Sequence, residues 1–510
     1  MKKIVVNSIS GLFVFILSLQ TYAQHVVADS LYINRELQTN VYTEFGKEFF
    51  ANRSYMYSAI PLSYSELNMN YQSDRKDAYL VQDGDGLDAF SVNTFSYQRL
   101  KGNKVIWGGA SYKNQKQKNM MWNENMDRHI LGPYVVGDSI GGTMKQDIYH
   151  FSGGIAKEWR KFTLGAEVTY TAKSGYREVD PRPKNTVSDL KVHLGITYNV
   201  FKDYEIGVYT HLNKYSQNSS LKFVNLLGKP IAYHLTGLGS YNYYFSSAVD
   251  MTNLYEGFGY DVGGTIAKNK GKDFVIQGAF GKFQVDKGIG SSPAKDMSKL
   301  ETKKYTVSAV KYIDFEQHRL GAKVSYLLSE SRGTEYFYSK VEKLETKIAE
   351  KELYKFVRSD IYTSIFYQYS TALSRFTVTP LFGVEQTDEK RRDTQVKQRF
   401  TYIHLGIEVD YLRSINTSST ISLKPYFKVR NLKETTERLK EFHYSPAMNQ
   451  WVKQDYMINS ANYFNCGLVV RYDFKVQNLP NIFVQTQFEQ VKYNVNETNN
   501  FVSATLGVTF

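Results

Sequence analysis

The segment Thr401-Tyr402-Ile403-His404-Leu405-Gly406-Ile407-Glu408-Val409-Asp410-Tyr411 alternates without a break. Ile403, Leu405, Ile407, Val409 and Tyr411 share one parity, and Tyr402, His404, Gly406, Glu408 and Asp410 share the other. Successive side chains of an extended strand point to opposite faces, so this strand has one greasy face and one polar face. The rhythm returns in 189–200, where Leu190, Val192, Leu194, Ile196, Tyr198 and Val200 alternate with Lys191, His193, Gly195, Thr197 and Asn199. It returns in 421–430, where Ile421, Leu423, Pro425, Phe427 and Val429 alternate with Ser422, Lys424, Tyr426, Lys428 and Arg430. Soluble sandwiches alternate too, but seldom keep charges so regularly over such lengths. A membrane-spanning strand does, with apolar residues on lipid and polar or small ones on the lumen for about ten residues.

Composition points the same way. The 510 residues include 41 Tyr and 31 Phe against only 4 Trp and 10 Pro. Mean hydropathy is −0.42, and beyond the N-terminus no run approaches the ~18 apolar residues of a spanning helix. Aromatics recur along the whole length, which argues against disorder. The fold class that follows is all-β: a transmembrane antiparallel up-and-down β-barrel.

Applied along the chain, the alternation predicts strands near 62–72, 88–100, 104–117, 147–159, 161–173, 187–201, 203–216, 254–269 and 273–286. Further strands are predicted near 302–315, 317–331, 358–372, 374–387, 398–413, 416–430, 458–474, 480–493 and 499–510. That makes about 18, with 16 to 18 admissible, and an even number is the rule for such barrels. Short links at 101–103, 160, 202, 270–272, 316, 373, 414–415 and 476–479 alternate with longer ones at 118–146, 174–186, 217–253, 287–301, 332–357, 388–397 and 431–457. Periplasmic turns are short and external loops long, so both termini are expected on the periplasmic side. The brief 494–498 loop fits this alternation least well.

The ends carry their own signals. Lys2 and Lys3, an apolar stretch from Ile9 to Leu19 and Thr21-Tyr22-Ala23 form a signal peptide over 1–23, with cleavage expected between Ala23 and Gln24. Loss of Lys2 and Lys3 takes the formal charge from +13 to +11. No basic arm or nucleic-acid motif accompanies that charge, so no nucleic-acid partner is expected, and the anions in view are lipid phosphates and lipopolysaccharide, acidic glycans or anionic solutes. The lone Cys466 has no internal disulfide partner and is expected to pack as a small hydrophobe. Residues 24–58 suit a periplasmic or lumen-plugging segment, and are far too short for the large plug of a TonB-dependent transporter, a class the sequence reading rejects. The barrel is expected over 59–510. Its last strand places Leu506, Val508 and the terminal Phe510 on one face, which resembles the closing-strand signal read by the barrel assembly machinery.

Two further segments stand out: Gly132-Pro133-Tyr134-Val135-Val136-Gly137-Asp138-Ser139-Ile140-Gly141-Gly142, and Arg177-Glu178-Val179-Asp180-Pro181-Arg182-Pro183-Lys184-Asn185. With them the chain resembles an uncharacterised outer-membrane β-barrel family of Bacteroidota, domain of unknown function 6850. The resemblance implies the location and the barrel, and no activity. In the second segment two prolines stiffen an external loop in which Arg177, Asp180, Arg182 and Lys184 suit a charged network, folded into the barrel mouth or onto lipid phosphates; a solvated loop stiffened by proline is the plainer alternative.

Motifs for chemistry are sparse. Gly137-Asp138-Ser139-Ile140-Gly141 has hydrolase spacing, but the nucleophile elbow needs a strand-to-helix turn above a parallel sheet, so a loop turn is the better account. Asp83, Asp85 and Asp88 offer carboxylates to calcium, yet lack the distal bidentate Glu, and a tight loop explains them. His193, His211 and Glu205 share lumen parity on adjacent predicted strands, but no nucleophile is placed beside them, and lumen hydrogen bonding is the expectation. Lys343, Lys347, Lys351 and Lys355 would stripe a helix or edge an extended hairpin tip. Tyr-rich 240–244 with Tyr255, Phe258 and Tyr260 suits an interfacial girdle. Lumen candidates of both signs are Glu158, Glu167, Lys191, His193, Glu205, His211, Lys323, His404, Glu408, Asp410, Lys424, Lys428, Arg430 and Arg471. No catalytic residue, metal ligand or cofactor is expected. The readings carried forward are a porin-like or gated pore for a polar small molecule, a docking subunit for a surface lipoprotein, transporter or secretion complex, and, last, a barrel hydrolase.

Overall fold

The computed structural model describes residues 30–510, apart from 226–227, 291–293, 342–343, 440–444 and 478. The segment expected to be a signal peptide, with its expected cleavage site at Ala23 and Gln24, lies outside the described residues. The strands are β1 (Tyr64–Lys76), β2 (Gly86–Leu100), β3 (Lys104–Met120), β4 (Val136–Gly137), β5 (Gly142–Trp159), β6 (Phe162–Tyr176) and β7 (Arg182–Phe201). Next come β8 (Tyr204–Lys222), β9 (Tyr233–Gly237), β10 (Ser240–Tyr241), β11 (Met251–Lys268), β12 (Phe274–Ile289), β13 (Lys295–Phe315) and β14 (His318–Val341). The series ends with β15 (Leu344–Ser370), β16 (Ser374–Arg391), β17 (Lys397–Asn416), β18 (Ser419–Arg438), β19 (Tyr463–Phe474), β20 (Asn481–Tyr493) and β21 (Thr498–Thr509).

Leaving out β4, β9 and β10, these form one 18-stranded antiparallel sheet in which each strand pairs with its neighbour along the chain. The sheet closes because β1 pairs with β21, from Glu66 opposite Thr509 to Lys76 opposite Asn499. Closure leaves no edge strand, which is what a sheet in hydrocarbon requires.

The alternation dictates the wall. Outward positions of β5 carry Tyr149, Phe151 and Ile155, those of β8 carry Ile206, Val208 and Leu212, and those of β17 carry Leu405 and Ile407, all exposed. On β14 the outward row runs through Leu320, Val324 and Tyr326 before Glu330 and Arg332 end it. Cys466 shares the outward parity of Phe464 and Leu468. Phe258 and Tyr260 join this belt, but Tyr255 does not: its odd number on β11 turns it into the bore, where it is 1% exposed.

Strands extend beyond the lengths predicted at the long-loop end, β15 reaching 27 residues. Lys343 lies outside the described residues, and Lys347, Lys351 and Lys355 fall on β15, so they edge a strand and not a helix. The predicted 174–186 loop shrinks to 177–181 between β6 and β7. Long strands there are supported by a cap on the bore. β4, β9 and β10 make a small sheet across it, and the helix Pro446–Ser460, begun by Ser445 accepting from the Met448 N–H, lies beside them. Trp122, Leu131, Tyr134, Leu235, Met448 and Trp451 form the cap's core, with Tyr215, Tyr255, Leu300 and Tyr354 from the wall beneath. The rings of Trp122 and Trp451 stack at 5.2 Å.

Candidate functional site

At the short-turn end the bore is crossed by residues 30–60. They make the helix Ser30–Gln38, the helix Val41–Phe45, two 3-10 turns at Lys47–Ala51 and Arg53–Tyr55, and the helix Met56–Ala59. None is long enough to be stable alone in water. The wall holds them. On β16, Arg375 donates to the Thr39 carbonyl at 2.7 Å; on β14, Lys323 donates to the Phe45 carbonyl at 2.7 Å and pairs with Glu48 at 2.8 Å. His211 on β8 meets the Ala51 carbonyl at 2.8 Å, Glu167 on β6 pairs with Arg53 at 3.0 Å, and Tyr97 on β2 donates to the Met56 carbonyl at 2.6 Å. Phe45, Phe49 and Tyr55 pack on Ala267, Val275, Val310, Tyr312 and Phe366 of the wall. Gly165 and Gly195 face the bore where the plug backbone passes, and a Cβ at either would collide with Arg53 or Asn52.

Every lumen candidate lies on the inward parity, and all but Arg430 and His193 fall into three groups. Those touching the plug or its rim are Glu167, His211 and Lys323, Glu205 buried beside Tyr55, and Glu158, paired with Lys270 at 2.5 Å. Those paired within the wall are Lys191 with Asp189 at 3.0 Å, Asp410 with Lys424 at 3.2 Å, His404 with Glu385 at 3.3 Å, and Arg471 with Asp473 at 2.8 Å. Arg430 instead reaches the cap, donating to the Ala461 carbonyl at 2.6 Å. His193 and His211 do meet, ring centroids 4.4 Å apart, but His211 is engaged with plug backbone and Asp261 stands 3.8 Å away. Glu408 and Lys428 form the last group: inward-facing, yet exposed, as is Lys304. Side chains that face the bore and still see solvent mark a chamber between plug and cap. A cavity of about 410 Å³ on the plug's upper surface belongs to it, lined by Glu48, His211, Asp261, Lys304, Asp360 and Tyr362.

The cap closes over this chamber with buried polar contacts. Arg177, 3% exposed, donates to Asp138 at 2.6 Å and to the Pro181 carbonyl at 2.7 Å, with Glu124 3.8 Å away. Burial and the neighbouring Asp138 push the Glu124 carboxyl well above the usual carboxylate range. Arg391 bridges Glu335 at 2.7 Å and Asp393 at 2.8 Å. Asp455 accepts from the Val81 N–H and from Trp451 Nε1, and burial still pushes its carboxyl up to about 6. The network expected of the 177–184 segment divides: Arg177 goes inward, Asp180 pairs with Arg182 at 2.7 Å on the rim, and Lys184 stands exposed on the outer face. The reason is parity, since Arg182 and Lys184 continue the outward row of β7.

The remaining motifs resolve simply. Asp138 Oδ1 accepts from the backbone N–H groups of Ile140 and Gly141, so Ser139 sits in a turn. Asp83 grips Arg128 at 2.8 Å while Asp88 faces Lys118 at 2.6 Å, and no group of three His, Cys, Asp or Glu side chains suited to a metal occurs among the described residues. Leu506 and Phe510 project outward, exposed, with Val508 on the same face. Sequence reading missed Glu48, Arg53, Arg375, Glu124 and Asp138. Glycines at inward positions, Gly165 and Gly195 among them, were the available sign that backbone approaches there.

No curated protein matches the chain. Among solved structures it is similar to the siderophore receptor PiuA from Acinetobacter baumannii, with TM-score 0.42 and 7% identity over 88% of this chain and 82% of that one. It is also similar to the FrpB iron transporter from Neisseria meningitidis, with TM-score 0.40 and 8% identity over 89% and 82%. A family model matches residues 55–510, and the chain belongs to that family, the Family of unknown function (DUF6850).

Proposed function

We propose that this barrel lies in the bacterial outer membrane and passes a polar small molecule through a gated lumen, with residues 30–60 as the gate. The outward apolar belt supports the location, and the barrel assembly machinery, reading Leu506, Val508 and Phe510, is the expected partner in insertion. The observation that carries the gated reading is the chamber: Lys304, Glu408 and Lys428 face the bore in solvent, between a plug and a cap. A scaffold with a dry interior would pair those charges. Beyond the apolar packing of Phe45, Phe49 and Tyr55, the plug is fastened by hydrogen bonds and ion pairs from separate strands, each worth about 1 kcal/mol, so its seat is a sum of small contacts. The full chain in planar bilayers is expected to be mostly closed with discrete voltage-dependent openings, more frequent in a variant combining Lys323→Ala and Arg375→Ala. A silent bilayer for both proteins, with the barrel intact, rejects the reading.

A second reading, a docking subunit, draws on the exposed Ile140, Val179, Val224, Ile231, Tyr243 and Val249 of the external segments. A surface lipoprotein or transporter partner would then co-purify in fixed ratio after cross-linking in native membranes, and recovery of the chain alone would count against it. Hydrolysis ranks last: His211 is spent on the Ala51 carbonyl, and His193→Ala should leave any detected hydrolysis unchanged.

A further inference from the structure

On the outer face, beyond the apolar belt at the long-loop end, the strand registers set cations against cations. Lys116 of β3 stands directly opposite Lys145 of β5, and Arg182 of β7 directly opposite Lys222 of β8. Lys145 is in turn opposite Tyr176 of β6, and Tyr176 opposite Lys184 of β7. One rung across five strands therefore reads Asp88, Lys116, Lys145, Tyr176, Lys184, with Arg182 and Lys222 beside its end.

Like charges placed directly opposite on neighbouring strands destabilise a sheet. The acids nearby are already engaged: Asp88 in ion pairs with Arg75 and Lys118, Asp147 with the Tyr112 hydroxyl and the Asn114 amide, Glu178 with Lys145, Asp180 with Arg182. Lys116, Lys184 and Lys222 are exposed and have no acidic partner among the described residues. Something outside the chain is the natural counter-charge.

Depth says what. One rung lower the outward residues are Asn114, Asp147, Ser174 and Thr186, and two rungs lower stand Tyr112 and Tyr149, rings 5.1 Å apart. The lysines thus lie four residues beyond an aromatic pair, roughly 13 Å along the strand, past the acyl region and among headgroups. The long-loop end faces the exterior, so the leaflet is the outer one.

We propose that this rung docks the phosphate groups of a phosphorylated glycolipid of the outer leaflet, with Lys116, Lys184 and Lys222 contacting phosphate oxygens and Tyr176 lying against the sugar. The site rests on the outer-membrane reading above but not on the pore, so a silent bilayer leaves it standing.

The full chain, folded in maltoside micelles, is mixed with diphosphorylated lipid A, with lipid A stripped of phosphate, or with inorganic phosphate, and bound species are counted by native mass spectrometry. Diphosphorylated lipid A is expected to be retained, and the combined Lys116→Gln, Lys184→Gln, Lys222→Gln variant to retain it roughly tenfold less, as loss of three exposed ion contacts implies. Lys157→Gln, on the outward face at the other end of β5, is expected to leave retention unchanged. The matching Lys→Arg triple keeps the charge and should keep the lipid, separating charge from any effect on folding. Equal retention of phosphate-free lipid A, retention unaffected by the Gln triple, binding of inorganic phosphate alone, or loss of lipid in the Arg triple overturns the proposal.

Discussion

Gly195 shows how much a single position can decide. It faces the bore on β7 with the Asn52 side chain over it, and Asn52 is fully buried. A valine there has no room while the plug is seated. Gly195→Val is therefore expected to leave the barrel intact, since valine favours strands, but to unseat residues 50–54. Limited proteolysis of the folded barrel should then cut near Arg53, where the native chain resists. In the cap, two buried ionisable groups should respond unequally. Arg177→Ala leaves Asp138 buried without its cation and is expected to cost about 3–5 kcal/mol of local stability. Glu124→Gln replaces a carboxyl that burial pushes toward its neutral form with a neutral near-isostere, and should cost less than about 1 kcal/mol. Hydrogen exchange across 121–141 distinguishes the two outcomes.

Among elements, the helix Pro446–Ser460 is the one whose seating should depend on pH. Asp455 is buried against the Val81 N–H and Trp451, and its carboxyl is raised to about 6. A carboxyl raised on folding binds more protons in the folded state, so stability is highest at low pH and falls as pH rises from about 4 through 6. The near-ultraviolet circular dichroism of the Trp122–Trp451 stack should melt at a higher temperature at pH 5 than at pH 7.5. That difference should shrink in Asp455→Asn, and an undiminished difference would assign the effect to another group. This helix also marks where the sequence stops being legible. In the belt, lipid on one side and polar lumen on the other impose period two, and each of the 18 predicted segments corresponds to one observed strand. Above the belt both faces meet water or protein, the period dissolves, and the outer ends of β13 to β15, β4, β9, β10 and this helix left no comparable trace. The inward parity of Lys323 and His211 was readable; their partners Glu48 and Ala51 were not, because those contacts join segments more than 150 residues apart.

For the whole molecule, what matters is whether the plug is a part of the wall or a guest in it. Its contacts come from β2, β6, β8, β14 and β16, on widely separated arcs of the barrel, so no single one fixes it. The Glu48–Lys323 pair is suited to a test because it joins plug to wall beside the chamber, which Glu48 lines. Glu48→Lys places two cations in contact and Lys323→Glu two anions; each should raise open probability several-fold by weakening the seat by about 1 kcal/mol. Combined, the two reversals restore an opposite pair but not the bond to the Phe45 carbonyl, and closure should return part of the way to the native level. Additive effects in the double variant would mean that the two residues act independently, and the plug would then be held by its apolar face on Tyr312 and Phe366. Restoration, by contrast, ties the conducting state to departure of residues 30–60 from the wall, because this pair joins the plug to β14.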